Sequence, residues 1–225
     1  TLSGQQYEKR PIWLMRQAGR YLEEYKAIRA SEPDFISFCL NPEKAVEVTL
    51  QPIKRYGFDA AILFSDILTI PDAMGLQLDF VEGQGPKFNK KITNENDLLT
   101  AIQTEPHEKL AYVGSAVSLI RKNLDNNIPL IGFAGSPWTL ACYILGGGGS
   151  KDDFIKVRKW LYTRPDLLEL LLKKLTENII SYLNMQINMG ADALMLFDSW
   201  GGLLSHRNFP TFSLNYLKQI ISALN

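Results

Sequence analysis

The chain has 225 residues, 46% of them apolar and 21% charged, a composition that suits a folded protein with a sizeable core. Its 24 basic and 24 acidic residues cancel, so no global field gathers nucleic acid or an anionic membrane, and an anionic ligand must be met by local charge. Cys39 and Cys142 are too few and too far apart for a disulfide framework or a metal knuckle, which points to a reducing cytoplasm, and the polar opening stretch Thr1 to Arg10 does not read as a secretory signal.

The first apolar run, Pro11-Ile12-Trp13-Leu14-Met15, predicts a strand, and Arg16-Gln17-Ala18-Gly19-Arg20 follows it. Asn41-Pro42 supplies an N-cap and a proline at the first helical position, opening a helix towards Arg55. Asp59 to Phe64 is a second strand, followed by Ser65-Asp66. Pro129 to Phe133 is a third, followed by Gly135-Ser136-Pro137-Trp138. The stretch Ile128 to Gly149 carries no charge and is long enough for a membrane span at roughly 18 residues. Pro129, Pro137, Gly132, Gly135 and Gly146 to Gly149 break it into a buried strand, a turn and a short helix, so no membrane segment is expected. Pro165 opens the clearest helix, in which Leu168, Leu171, Leu172, Leu175, Ile179, Tyr182 and Leu183 form one apolar stripe before a stop at Gly190. Ala193 to Phe197 is the fourth strand, Asp198-Ser199-Trp200-Gly201-Gly202 follows it, and Asn208 to Leu224 reads as a last helix.

None of the four strands alternates polar with apolar residues, so each is expected to be covered on both faces, as in a parallel sheet. Strands alternating with helices give an α/β class with right-handed crossovers. A doubly wound nucleotide-binding fold requires a glycine-rich fingerprint after its opening strand, and none is present. In a (β/α)8 TIM-type barrel the working residues follow the C-terminal ends of several strands, which is the pattern here. Four strands of eight are counted, so residues 1–225 are expected to be the first part of a single barrel domain whose remainder is missing.

Several strand-end residues admit two readings. Arg16 and Arg20 either clamp carboxylates through paired hydrogen bonds or bridge on the surface to Glu23 and Glu24. Asp66 is either a functional carboxylate or a cap for a helix over Ile67 to Met74. Ser136-Pro137-Trp138 starts a short helix carrying Tyr143, and Asp198-Ser199 is a turn or a binding loop. Gly149-Ser150-Lys151 is the reverse of a phosphate-loop ending. His107 and His206 lack histidine or cysteine partners at a metal-ligand interval.

Taken together, these segments resemble the signatures of the uroporphyrinogen decarboxylase family. Pro11 to Leu22, with Tyr25 beyond it, is similar to the N-terminal motif, and Ile62-Leu63-Phe64-Ser65-Asp66-Ile67-Leu68 to the second. Gly132 to Leu140, followed by Tyr143, resembles the third, and Phe197-Asp198-Ser199-Trp200-Gly201-Gly202 the bacterial form of the fourth. The departures are Glu23 in place of the usual proline and Gly146 in place of a glutamate. A histidine that the family contributes from its last part has no counterpart here.

The resemblance implies decarboxylation of the four acetate arms of uroporphyrinogen III to coproporphyrinogen III, within porphyrin and heme biosynthesis, with no cofactor and no metal. It assigns Asp66 to accept hydrogen bonds from the pyrrole NH groups and stabilise positive charge on the ring. Arg16 and Arg20 hold carboxylate arms, within a binding segment that includes Gln17, Ala18 and Gly19. Arg16 is also a candidate for assisting proton transfer, although arginine is a poor acid at neutral pH. Tyr143 and Ser199 hydrogen-bond substrate carboxylates, and Ile62, Phe64, Phe133 and Phe197 line an apolar wall that equally suits a barrel core. A cytoplasmic homodimer is also implied. Two alternatives stand beside this: a zinc-dependent corrinoid- or thiol-linked methyltransferase of similar fold, and an inactive tetrapyrrole-binding protein.

Overall fold

The computed structural model describes residues 4, 8–81, 83, 85–149 and 154–225. In chain order they form α1 (Glu23–Ala30), α2 (Phe35–Leu40), α3 (Pro42–Tyr56), β1 (Ala61–Ile62) and α4 (Thr69–Pro71), which runs into a π-helical turn at Asp72–Leu76. There follow β2 (Leu78–Val81), β3 (Gly85–Phe88), α5 (Glu95–Ile102), α6 (Ala111–Asn123), β4 (Leu130–Gly135), α7 (Pro137–Gly146), α8 (Ile155–Thr163) and α9 (Pro165–Asn188). Last come β5 (Ala193–Phe197), a second π-helical turn at Pro210–Leu214, and α10 (Asn215–Ser222). The main sheet has the order β1-β4-β5, and β2 and β3 form a separate antiparallel pair. The α/β class holds, with three of the four expected strands forming one sheet.

Local chemistry explains the helix ends. The Asn41 side chain accepts from the Lys44 amide at 3.2 Å, Pro42 fills the first turn, and Gly57 closes α3 in the left-handed region at φ 65°. Ser136 and Pro137 start α7 the same way, with the Thr139 amide donating to Ser136 Oγ at 3.1 Å.

The chain divides into two compact units. The first comprises residues 1–65, 112–132 and 186–194. Here β1 runs parallel to β4, with Ala61 opposite Leu130 and Ile62 opposite Ile131. Its core gathers Leu22, Tyr25, Phe38 and Val48, with Ile28, Phe35 and Phe64 packed against them. Arg121 closes the end of α6, donating to the carbonyls of Leu124, Asp125 and Ile128 and pairing with Asp192 at 2.8 Å. The expected strand at Pro11–Met15 does not form. Ile12 is tied to Asp59, its amide donating to Oδ2 at 2.7 Å and its carbonyl accepting from the Asp59 amide at 2.9 Å, while Leu14 bonds only to Gln17 in the turn that follows. One bonded residue is no ladder, and Ile12, Leu14 and Met15 are 54–59% exposed rather than covered on both faces.

The second unit comprises residues 66–111, 133–185 and 195–225. All seven stripe residues of α9, from Leu168 to Leu183, are buried, as the 3.6-residue period requires. Each contributes about 1.5–3 kcal/mol by leaving water. The β2–β3 hairpin, absent from the sequence reading, pairs Leu78 with Phe88 and Val81 with Gly85. In the last helical stretch, the π-helical turn at Pro210–Leu214 precedes α10, which ends at Ser222, short of the expected Leu224. The expectation of doubly covered strands holds for β4, buried throughout, and not for β5, half-buried at every position.

Candidate active site

In the first unit, the residues after Met15 form a turn in which the Gln17 amide donates to the Leu14 carbonyl at 3.1 Å. This forces Arg16 to φ 60°, a left-handed conformation that non-glycine residues rarely adopt and that tends to persist at functional positions. Gly19 has no positive φ, and a Cβ there would make only ordinary contacts. Gln17 anchors the loop. Its buried amide donates to the Ala60 carbonyl at 3.0 Å and accepts from the Leu14 amide at 3.2 Å, while the Tyr21 hydroxyl donates to the Gln17 carbonyl. Ala18 and Gly19 are half-buried, and Arg16 and Arg20 are both exposed. The surface-bridge reading is not met, because Glu23 pairs with Lys26 at 2.7 Å and Glu24 with Arg55 at 2.9 Å. Among the described residues neither Arg16 nor Arg20 has an ion-pair partner.

Ile62 lies buried in β1, and Phe64 joins the aromatic cluster, its ring centroid 4.9 Å from Phe38, 5.8 Å from Tyr25 and 6.2 Å from Phe35. Those contacts account for Phe64 as core.

In the second unit, Asp66 is half-buried, and its Oδ1 accepts from the Leu68 amide at 2.7 Å, two residues on. The Asp66 carbonyl accepts from the Thr69 hydroxyl at 3.1 Å. This is a turn of the kind aspartate favours, and it sits just before α4 rather than capping it: the cap position is Leu68, with no side-chain bond. A helix over Ile67 to Met74 therefore gives way to one short turn and a π-helical one.

The residues after β5 are organised by a group that the sequence reading left as a turn or a binding loop. Asp198 Oδ1 accepts from Ser136 Oγ at 2.6 Å and Thr139 Oγ1 at 3.1 Å, and Oδ2 accepts from Ser213 Oγ at 2.7 Å. All three donors are buried. The only legible hint was hydroxyl residues placed among apolar ones at element ends. Thr139 Oγ1 also accepts from the Trp200 amide at 3.2 Å, and Trp138 Nε1 donates to the Trp200 carbonyl at 2.8 Å. Ser199 is exposed between these fixed residues. Tyr143 is half-buried, with the Trp200 ring at 6.0 Å and Phe154 at 5.6 Å. Phe133 and Phe197 meet edge to face at 5.3 Å. Within this unit the fold thus brings Tyr143 to the loop that carries Ser199, and Phe133 to Phe197.

Cys39 and Cys142 are buried thiols, neither of them in a disulfide. Burial pushes the Cys142 thiol well up, with the nearby Asp198 charge adding to the effect. Among the described residues no group of three or more histidine, cysteine, aspartate or glutamate side chains is placed to hold a metal ion. No helix there is long and apolar enough to cross a membrane.

A parallel α/β chain with aspartate and serine in the segments that follow its strands is built like the enzymes of the (β/α) barrel class. The fold is shared with a methyltransferase from Methanosarcina mazei, at TM-score 0.76 and 22% identity, over 100% of this chain and 65% of that one. Residues 1–225 match the uroporphyrinogen decarboxylase (URO-D) family, and the chain belongs to that family. It is 56% identical over 214 residues to a uroporphyrinogen decarboxylase of Pseudoalteromonas atlantica, covering 95% of this chain and 60% of that protein. It is 54% identical over 224 residues to one of Psychromonas ingrahamii, covering 100% and 63%, and 56% identical to one of Pectobacterium atrosepticum, covering 95% and 60%. The chain thus spans 60–63% of the length of these curated relatives.

Proposed function

We propose that the protein acts in the decarboxylation of uroporphyrinogen III to coproporphyrinogen III, a step of porphyrin and heme biosynthesis, without a cofactor. The observation that carries this reading is the arginine pair: Arg16 and Arg20 stand exposed, with no acidic partner among the described residues, while Glu23 and Glu24 are engaged elsewhere. Two unneutralised guanidinium groups beside a strained backbone suit an anionic, multiply carboxylated ligand. The relatives named above carry the corresponding activity in their names.

The chemistry has one electronic demand. Loss of carbon dioxide leaves an electron pair on the acetate methylene, and a pyrrole protonated at the ring carbon beside the acetate-bearing position accepts it. Protonation of the resulting exocyclic carbon then gives the methyl group, and loss of the proton first added to the ring carbon restores the pyrrole. In this reading Asp66 stabilises the cationic ring through the pyrrole NH groups. Arg16 and Arg20 hold carboxylate arms, with Gln17, Ala18 and Gly19 shaping their segment. Tyr143 and Ser199 hydrogen-bond arms, while Ile62, Phe64, Phe133 and Phe197 contribute apolar surface. Residues 1–225 belong, in this reading, to one (β/α) barrel catalytic domain. A cytoplasmic homodimer completes it.

The test is to incubate intact protein with uroporphyrinogen III in the presence of a chelator and quantify coproporphyrinogen and carbon dioxide. Turnover that survives chelation is expected. Binding without carbon dioxide release would favour an inactive tetrapyrrole-binding protein, and activity abolished by chelation and restored by zinc would favour a methyltransferase-like metal site.

A further inference from the structure

We infer that Asp198 is a positioning residue whose carboxylate holds Ser199 and Tyr143 in register for one substrate arm; this rests on the decarboxylase reading above. The hydrogen bonds of the Asp198 carboxylate go to Ser136, Thr139 and Ser213, none of them given a substrate role, so its effect has to travel through others. Its two oxygens collect three hydroxyls from separate parts of the second unit: Ser136 and Thr139 in the first turn of α7, and Ser213 in the π-helical turn. Ser136 is at once the N-cap of α7 and a donor to the carboxylate. The start of that helix is therefore fixed relative to the end of β5.

The tie continues to both sides of Ser199. Asp198 precedes it, and Trp200 follows with its amide donating to Thr139 and its carbonyl accepting from Trp138. The Asp198 carbonyl accepts from the Gly201 amide at 3.1 Å, so both peptides flanking Ser199 are held while the residue itself stays exposed. Tyr143 lies one helical turn beyond Thr139 on the same face of α7, with its ring 6.0 Å from that of Trp200. One carboxylate thus sets two groups at once. Gly201 keeps the arrangement open, since a Cβ there would come within 2.6 Å of Asp198 Oδ2.

A merely structural anchor would not couple to the substrate arm, and a double-mutant cycle on intact protein separates the two cases. Ser199→Ala is expected to lower kcat/KM for uroporphyrinogen III about tenfold, the size of one hydrogen bond to a charged group. In the Asp198→Asn background the same change is expected to cost less than about threefold, because Ser199 is already out of register. Arg16→Lys is expected to cost the same in both backgrounds. If Asp198→Asn does not fold by circular dichroism, Ser213→Ala takes its place, removing the single donor to Oδ2, and the same non-additivity is expected. Equal costs of Ser199→Ala in the two backgrounds, or a Ser199→Ala protein as active as its parent, would overturn the inference and leave decarboxylation standing. A parent protein that releases no carbon dioxide would overturn decarboxylation, and the inference with it.

Discussion

The turn carrying Arg16 and Arg20 and the loop following β5 handle charge in opposite ways. In the first, a buried neutral amide, Gln17, does the anchoring, and the two charged side chains stay exposed without ion-pair partners among the described residues. In the second, the charged residue is itself the anchor, with Asp198 accepting three buried hydroxyls while the neutral Ser199 is exposed. The difference separates binding from scaffolding. A charge left in solvent keeps its strength for a ligand, whereas a carboxylate saturated with donors stiffens the backbone around it.

The largest effect is expected at a residue that tests whether a strand-end aspartate must be a scaffold. Asp66→Asn keeps the acceptor that receives the Leu68 amide and removes the charge. If Asp66 were only a turn residue, turnover would be nearly unchanged. If its charge stabilises a protonated pyrrole, the rate falls about a hundredfold to a thousandfold in a protein with unaltered circular dichroism. Steady-state decarboxylation beside a thermal melt decides between them.

Next in size are the arginines. Arg16→Ala or Arg20→Ala is expected to lower kcat/KM by roughly ten- to a hundredfold, the range of one charge-assisted hydrogen bond. Melting temperature should hardly move, since exposed substitutions of this kind stay within about 0.5 kcal/mol. A large loss of stability with intact turnover would place these side chains in the scaffold and reverse the contrast.

How much of this was legible in the sequence depends on how far apart the determining residues lie. Helix α3 was readable because Asn41 and Pro42 sit at its start, and α9 because its stripe repeats within one element. The β2–β3 hairpin was not, since each strand has four residues and only Leu78 and Phe88 are fully buried, too few to show a period. The run Pro11–Met15 has the composition of a strand, but composition does not supply the ladder partner that makes one. At the candidate site, the identity of the arginine pair was legible and its geometry was not, because the positive φ fell on Arg16 rather than on glycine. In the sequence Asp198 reads only as part of a turn or a binding loop. Its donors stand 62, 59 and 15 residues away, so only the folded chain brings them together.

The scaffolding half of the contrast is open to a smaller test by neighbouring glycines. Gly201→Ala forces a Cβ to within 2.6 Å of Asp198 Oδ2 and is expected to cost about 1–3 kcal/mol. At about 2–4 °C per kcal/mol for a chain of this size, a melt resolves it. Gly202→Ala meets nothing within 4 Å and is expected to be neutral, or stabilising by up to about 1 kcal/mol through the unfolded chain. Equal effects at the two positions would mean that the carboxylate does not confine the loop.

The smallest effect reports on the buried thiol of Cys142. Cys142 is buried, and its thiol is raised chiefly by burial and secondarily by the Asp198 charge. A raised folded pKa means that folding favours the protonated thiol, so this contribution is fully present below the unfolded value, about 8.5, and is lost as pH rises above it. Between about pH 8.5 and 9.5 the parent protein should therefore lose stability faster than Cys142→Ala, approaching a difference of about 1.4 kcal/mol per pH unit. Lysines and tyrosines also titrate in that range, but they are common to both proteins and cancel in the comparison of denaturant midpoints. In the Asp198→Asn background burial remains, so the same alkaline difference is expected. Parent and Cys142→Ala proteins that lose stability alike over that interval would mean that burial does not hold the thiol protonated.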